Sequence, residues 1–235
     1  MGIFIDIYSV KHIGTEKYAK TFFELMNHYG LNIEKIGLFE PVKKPFTMDE
    51  AIHMWTFEEP VIYDITIDEM IGKYGSMLGA SKGYWFSATW WLHPTDLMLN
   101  DVTVYMNKKV FNQIKPDIQA LFEDLVDCFE AVYGYVTEAI AKDRQHITGT
   151  LTDRIPGIFW LNYYSPVFVN YLNQDNTFDE FPWNRIDDSN KGVFTQLSDG
   201  PFDKPLADLE KQAQISLGVH KFNATAADYP NILTP

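Results

Sequence analysis

Hydrophobic residues in this chain follow strand-like and helix-like spacings in turn, without a strict strand–helix–strand rhythm. Neighbouring strand patterns with interspersed helices are typical of the α+β class, here with a mainly antiparallel sheet packed with amphipathic helices. Strand spacing covers residues 3–8, 83–92, 100–111, 133–139, 158–164 and 193–197. Helical spacing covers residues 15–29, 116–132, 165–172 and 205–217. Capping-box patterns predict two further helices, at Thr47 with Glu50 and at Thr66 with Glu69.

The middle of the chain contains the clearest hairpin pattern. Strand-like runs at 83–92 and 100–111 flank the turn-forming residues 93–96, which predicts an antiparallel pair. Upstream, the glycines and serines of residues 72–83 predict a flexible connection. This connection is the candidate internal boundary of a chain that we otherwise interpret as one domain, residues 1–235.

The stretch from 153 to 172 combines both kinds of spacing. After the turn sequence Pro156-Gly157, an almost continuous apolar and aromatic run predicts a strand that is buried on both faces. Ser165 then suits the N-cap and Pro166 the first position of a helix. The pattern therefore indicates a structural role for this stretch before a catalytic one.

The composition indicates a chain that can bury its own core. Of its 235 residues, 46% are hydrophobic and 15% aromatic, which excludes an intrinsically disordered chain. The single cysteine, Cys128, cannot form an internal disulfide, which fits a reducing compartment. No apolar run approaches the ~18 residues of a membrane span, and the N-terminus lacks the basic region of a signal peptide. We therefore expect a cytoplasmic protein that does not associate with a membrane.

The net charge indicates which kinds of partner the chain can bind. With 32 acidic and 19 basic residues, the formal net charge is −13. Nucleic acid is disfavoured as a direct ligand, because phosphate contacts require clustered lysine and arginine. Two interpretations of the acidity stay open: a surface that maintains solubility, or a field that attracts a basic protein partner.

Recognisable catalytic motifs are absent from the sequence. The histidines lack metal-ligand spacing, no cysteine pair can hold zinc, and there is no nucleophile elbow, phosphate loop or dinucleotide fingerprint. We therefore predict no catalytic residue, no metal and no cofactor. Adjacent acids at 58–59, 179–180 and 187–188 keep open a hydrolase that uses paired carboxylates, although adjacent acids are also typical of a solvated surface.

Aromatic residues are concentrated in two places. The run at 84–91 on the predicted hairpin suits a ligand platform, but it is more typical of core packing. In the acidic insertion, residues 173–190, aromatic residues are interleaved with acidic ones. Such rings can anchor a protein interface, and the negative charge repels the wrong partners. The alternative is an ordinary packed loop. The predicted partner-binding residues are Asp175, Phe178, Asp179, Glu180, Phe181, Trp183, Asp187 and Asp188.

Two segments resemble proteins of known class. Residues 151–166 and 216–222 are similar to bacterial polymorphic-toxin immunity proteins, most of all to the immunity protein 52 family and related type VI secretion immunity proteins. The shared pattern is Pro-Gly-x-x-Trp, then Asn and an aromatic pair, then a late Leu-Gly-x-x-x-Phe. We call the matching positions the signature residues: Pro156, Gly157, Trp160, Asn162, Tyr163, Tyr164, Leu217, Gly218 and Phe222.

The resemblance implies a protein without enzymatic activity that binds and neutralises a cognate toxin, in that family often a nuclease-like one. An acidic binder suits a nuclease, because the nucleic-acid surface of such an enzyme is basic. The resemblance leaves out the first hundred residues and the acidic insertion. Two alternatives stay open: a hydrolase with carboxylates in an aromatic cleft, and an acidic phage or host inhibitor that mimics nucleic acid.

Overall fold

The computed structural model describes residues 2–62, 71–145, 155–173, 177–189 and 191–223. They belong to two compact units, a first unit of residues 2–131 and a second unit that begins at Val132. Both units mix helices with antiparallel strand pairs, which confirms the predicted α+β class. The interpretation as one domain stays a prediction. The helix predicted at Thr66 and Glu69 lies outside the described residues.

The first unit contains a sheet and a layer of helices. Its strands are β1 (Gly2–Ser9), β2 (Lys35–Gly37), β3 (Lys44–Pro45), β4 (Glu59–Ile62), β5 (Ile71–Ser81), β6 (Tyr84–Leu92) and β7 (Asn100–Asn107). Its helices are α1 (Glu16–His28), α2 (Met48–Trp55), α3 (Lys108–Ile114) and α4 (Ile118–Cys128), with a 3₁₀ turn at Lys115–Asp117. The strands follow the order β1-β7-β6-β5-β2-β3, and β4 also pairs with β5.

The helix starts predicted after Thr15 and Thr47 are confirmed. Helix α1 begins directly after Thr15 and ends at His28. Gly30, which follows the helix, has a positive φ of 73°, a conformation that glycine adopts readily. Helix α2 begins directly after Thr47, whose Oγ1 accepts a hydrogen bond from the Glu50 backbone N–H at 3.3 Å. The capping box therefore forms its first hydrogen bond as the sequence predicts.

The predicted hairpin is confirmed, but its second strand is shorter than expected. Strands β6 and β7 pair antiparallel, and β7 ends at Asn107 instead of continuing to residue 111. The Asn107 side chain accepts a hydrogen bond from the Val110 backbone N–H at 3.0 Å, which caps α3. Val110 and Phe111, which continue the apolar strand pattern, are therefore buried residues of a helix.

One face of the first unit's sheet carries the core. Alternate residues of its strands point toward α1 and α2 and meet aromatic side chains from those helices. The ring of Phe22 in α1 lies 4.9 Å from that of Phe86 in β6, and Trp55 in α2 stacks on Trp90 at 5.5 Å. All of these rings are fully buried, so they contribute strongly to the hydrophobic stabilisation of the unit.

The segment at 72–83 is largely a strand, and the prediction of a flexible connection is wrong. It forms most of β5, which pairs with β6 along most of its length. Gly75 and Gly79 lie opposite Trp90 and Phe86, and a Cβ atom on these glycines would come within 2.3 Å and 2.0 Å of those rings. The glycines therefore admit aromatic side chains from the neighbouring strand, which explains their spacing without flexibility.

The second unit has a smaller sheet with the strand order β10-β11-β9-β8. Its strands are β8 (Tyr133–Glu138), β9 (Leu161–Tyr164), β10 (Arg185–Ser189) and β11 (Gly192–Gln196). Its helices are α5 (Ala139–Arg144), α6 (Pro166–Leu172), α7 (Thr177–Glu180), α8 (Leu206–Leu217) and α9 (His220–Asn223). Helix α7 and strand β10 lie in the acidic insertion, whose composition is too irregular to predict either element.

The strand and helix predicted in the signature stretch are both present. Strand β9 begins at Leu161, later than predicted, because the Asn162 side-chain amide bonds both backbone groups of Phe159. Helix α6 begins at Pro166 as predicted. Ser165, however, makes no capping hydrogen bond, and its hydroxyl oxygen is buried without a partner among the described residues.

Candidate functional site

The first unit's sheet has a second face, opposite to its core, where side chains are mostly half-exposed. We call it the open face. Because successive strand residues point to opposite sides, the antiparallel register fixes which residues share it. They are Phe4, Asp6 and Tyr8 on β1, Asp101, Thr103 and Tyr105 on β7, Trp85, Ser87, Thr89 and Trp91 on β6, Tyr74, Ser76, Leu78 and Ala80 on β5, Lys35 and Gly37 on β2, and Glu59 and Val61 on β4.

Aromatic rings form rows across neighbouring strands of the open face. Phe4, Tyr105 and Trp85 lie directly opposite one another on β1, β7 and β6. Their ring centroids are separated by 5.0 Å for Phe4 and Tyr105 and by 5.4 Å for the stacked Trp85 and Tyr105. A second row joins Tyr74 and Trp91 at 4.3 Å. Cross-strand contacts of this kind hold the rings in place while leaving Trp85 38% exposed.

Polar side chains lie between the two aromatic rows. The Thr103 hydroxyl donates a hydrogen bond to Asp6 Oδ1 at 2.5 Å, and Asp6 is only 2% exposed. Ser87 and Thr89 are half-exposed on β6. On β1, β5, β6 and β7 the charged outward residues are Asp6 and Asp101, and the shorter strands add exposed Glu59 on β4 and exposed Lys35 on β2. Rings, hydroxyls and carboxylates on a partly exposed sheet face suit contact with another protein.

Of the three aromatic residues predicted as partner anchors in the acidic insertion, Phe178 and Phe181 pack inside the second unit, whereas Trp183 is half-exposed. Phe178 is 2% exposed and Phe181 is 6% exposed. The Phe178 ring lies 5.5 Å from Tyr164 and stacks on Trp183 at 5.6 Å. The Trp183 indole N–H donates to the Phe178 carbonyl at 2.8 Å. Phe178 and Phe181 therefore stabilise the insertion and offer almost no surface to a partner.

The acidic members of the predicted partner-binding set are distributed along the insertion. Glu180 at the end of α7 is exposed, and half-exposed Asp187 on β10 forms an ion pair with Arg185. Asp179 lies on α7 and Asp188 on β10, whereas Asp175 lies outside the described residues. The role of these carboxylates in partner binding stays a prediction.

The signature residues around β9 form a buried hydrogen-bonded framework. The Trp160 indole N–H donates to the Ser198 carbonyl at 2.8 Å, and the Tyr163 hydroxyl donates to the Lys191 carbonyl at 2.5 Å. The Asn162 side chain contacts Thr195 Oγ1 at 3.2 Å in addition to Phe159. These bonds tie the segment to β11 and to the residues on either side of it.

The remaining signature residues have structural positions as well. The carbonyl of Gly157 accepts a hydrogen bond from the Tyr133 hydroxyl at 3.0 Å, which holds this segment against β8. Leu217 and Phe222 are 1% and 0% exposed. Between them Gly218 ends α8 at a φ of 98°, a conformation that glycine adopts readily. Pro156 is half-exposed before the turn, and Tyr164 is fully buried.

A charged cluster in the first unit has no signature in the sequence. His12 Nε2 and Glu58 Oε1 are in hydrogen-bond contact although 46 positions separate them, and Lys73 Nζ lies 3.2 Å from Glu58 Oε2. The Glu58 side chain is 11% exposed and uses both oxygens, whereas Glu59 is exposed on β4. These adjacent acids therefore have different environments, and they do not form a matched carboxylate pair.

The second unit contains a buried carboxyl group. Glu210 on α8 is 2% exposed, and its Oε2 accepts from Arg144 Nη2 at 2.5 Å. Its other oxygen, Oε1, has no hydrogen-bond partner among the described residues. Burial raises the pKa of Glu210 to about 7, because removing the carboxylate from water outweighs the attraction of the Arg144 guanidinium. In the first unit, burial raises the pKa of Cys128 to about 12, so this thiol stays protonated at neutral pH.

Two other kinds of site can be assessed for the described residues. Among them, no group of at least three His, Cys, Asp or Glu side chains is arranged to hold a metal ion. No helix in the described ranges is long and apolar enough to cross a membrane.

Comparison with known proteins establishes a likeness of fold. No family model matches the chain, and no curated protein matches it in sequence. A solved structure that matches is that of the type VI secretion system (T6SS) protein PA0821 of Pseudomonas aeruginosa. The two share 16% sequence identity with a TM-score of 0.57, and the match covers 92% of this chain and 72% of that chain. At this identity, the likeness shows that the two proteins share a fold.

Proposed function

We propose that this chain is an immunity protein that binds and neutralises a cognate bacterial toxin of a type VI secretion system. The observation that carries the proposal is the fold shared with a T6SS protein of Pseudomonas aeruginosa over 92% of this chain. The resemblance of the signature residues to immunity proteins of such systems points to the same class. Because those residues build a framework, the resemblance concerns the scaffold and leaves the binding surface free to differ between family members.

The proposed mechanism is blockade of the toxin's active surface. A chain with a net charge of −13 attracts a basic protein, and complementary charge speeds association and favours the correct partner. A nuclease-type toxin fits this chemistry, since its substrate-binding surface must attract phosphates. In this mechanism the immunity protein occupies that surface in the cytoplasm and performs no turnover of its own.

Coexpression with the toxin encoded beside this chain tests the proposal. We expect cells that produce the toxin alone to lose viability, and cells that also produce this protein to recover. A matched control carries an early stop codon in this gene, so that both strains keep the same plasmid and promoter. Unrelieved toxicity together with the absence of a copurified complex would reject the proposal.

A titration separates blockade from enzymatic inactivation. With the toxin held well above its dissociation constant, blockade predicts that its activity falls linearly and ends at one equivalent of this protein. A hydrolase acting on the toxin would instead inactivate it at far lower amounts, given time. Complete inactivation at a small fraction of an equivalent would contradict the proposed mechanism.

A further inference from the structure

We propose that the open face is the surface that docks the toxin, and that the toxin meets it with a surface rich in arginine and lysine. This inference rests on the proposed function and adds the place of contact and the chemistry of the partner. The proposed docking site then lies on the sheet of the first unit, whereas the sequence predicts it in the acidic insertion of the second unit.

Accessibility is the first argument for this location. Trp85 is 38% exposed at the end of a stacked row, and Tyr105 and Trp91 are half-exposed beside it. Of the rings predicted as anchors in the acidic insertion, Phe178 and Phe181 are 2% and 6% exposed, and Trp183 alone is half-exposed. Tryptophan and tyrosine dominate the binding energy of protein interfaces where they are accessible in the unbound protein, so the open face holds the better anchors.

The charge of the open face is the second argument. Its outward strand residues include half-exposed Asp101, exposed Glu59 and buried Asp6, against one lysine among the described strands, Lys35 on β2, in a chain with a net charge of −13. A guanidinium group stacks well on the faces of tryptophan and tyrosine and pairs with carboxylates and hydroxyls nearby. A cationic partner therefore finds ring faces together with the carboxylates of Asp101 and Glu59 on this surface, whose outward strand residues carry more negative than positive charge.

Rigidity is the third argument. Strand β6 pairs with both β5 and β7, and β7 also pairs with β1, so the rings stand on the interior strands of a sheet. Tyr105 is held between Phe4 and Trp85 by ring contacts on both sides. Side chains that are already ordered lose little conformational freedom when a partner binds.

Affinity measurements with matched variants test the inference. The probe is the purified toxin encoded beside this chain, with its activity abolished by substitution. One variant removes rings from the open face, Trp85→Ser with Tyr105→Ser, and another places a cation at its centre, Ser87→Arg. The matched controls are Ile215→Ser, which removes an apolar side chain that is 58% exposed on α8 of the second unit, and Gln113→Arg, which adds the same charge at an exposed position of α3. Thermal unfolding of every variant verifies that it is folded.

We expect each open-face variant to raise the dissociation constant about tenfold or more, and each control to change it by about twofold or less. Raising the salt concentration should weaken the wild-type complex, because exposed charges are screened. Wild-type affinity in the folded Ser87→Arg variant, with loss of binding in Glu180→Lys, would overturn the inference and place docking on the acidic insertion. Absence of any complex with the wild-type protein would instead reject the proposed function, and this inference with it.

Discussion

Strand β9 of the second unit and strand β6 of the first unit are both rich in aromatic residues, yet they present them differently. In β9 the neighbours Tyr163 and Tyr164 point to opposite faces, and they are 3% and 0% exposed. In β6 Trp90 is fully buried, whereas its neighbour Trp91 is half-exposed and Trp85 is 38% exposed. Aromatic density therefore does not distinguish core from surface. The distinction depends on whether one or both faces of the strand are covered.

This difference separates two roles for the same residue type. Rings in β9 belong to a framework in which hydroxyl, indole and amide groups bond to the backbone of neighbouring segments. Rings on the open face contact one another across strands. We expect substitutions in the framework to lower stability, and substitutions on the open face to lower partner affinity while the protein stays folded.

The largest effect is expected for Trp160→Ala. The substitution removes a ring that is 3% exposed and one of the donors to the Ser198 carbonyl, which also accepts from Gln196 Nε2. We expect the free energy of unfolding to fall by about 3 to 5 kcal/mol, measured by urea denaturation. Trp160→Phe keeps most of the volume and serves as the control. A loss below about 1 kcal/mol for the alanine variant would contradict the framework role.

A smaller effect, dependent on pH, is expected for Glu210→Gln. The pKa of this carboxyl is about 7 in the folded protein and about 4.3 in an unfolded chain. Between these two pH values the folded protein therefore keeps a proton on Glu210 that the unfolded chain has released. The contribution of this protonation to the free energy of unfolding is fully present below about pH 4.3, and it is lost as the pH rises through 7. We expect the wild type to lose about 2 to 3 kcal/mol of unfolding free energy between about pH 5 and 8 through this group.

The Glu210→Gln variant carries an uncharged side chain of similar shape, so it should lack this part of the pH dependence. Denaturation of both proteins at several pH values measures the difference between them. Parallel curves for the two proteins would show that Glu210 is ionised throughout and held by Arg144, against the expected protonation.

An intermediate effect is expected for Asn162→Ala. This side chain is fully buried and bonds to both backbone groups of Phe159 and to Thr195. Its removal leaves buried polar groups unpaired, which costs about 1 to 3 kcal/mol. Hydrogen exchange should speed up at the Phe159 amide before other amides of the second unit. Unchanged protection at that amide would argue against the local role of the Asn162 amide.

The smallest effect on stability is expected for Trp85→Ala. The ring is partly exposed and stacks on Tyr105, so its loss should cost about 0.5 to 1 kcal/mol by denaturation. Trp90→Ala, at a fully buried position of the same strand, is the matched comparison and should cost several times more. Similar losses for both variants would remove the contrast between the two faces of β6.

Much of the fold follows from the spacing of apolar residues, because long periodic segments bury one face. The predicted elements β1, α1, β6, α4, β8, β11 and α8 are all present with small shifts of their ends. Errors arise where tertiary contacts reverse a local preference. Gly75 and Gly79 favour a loop by composition, but their missing side chains are what Trp90 and Phe86 require. Val110 and Phe111 continue a strand pattern, but the cap at Asn107 turns the chain into a helix.

The candidate site was harder to predict than the fold. In β6 aromatic residues occur on both sides of the strand, so apolar alternation does not reveal which side faces outward. The sequence feature that does indicate the outward side is the position of Ser87 and Thr89, which alternate with the buried residues Phe86, Ala88 and Trp90. In the acidic insertion, sequence alone cannot show that Phe178 turns inward onto Tyr164, since that contact joins segments distant along the chain.

The alternation in β6 has a consequence for how such a protein can diversify. Residues 84, 86, 88 and 90 face the core, while residues 85, 87, 89 and 91 face outward. Changes at every second position therefore alter recognition and leave the packing residues untouched. One strand can then keep its core residues while its outward residues change during evolution. A protein of this kind can therefore adapt to a new partner without a change of fold.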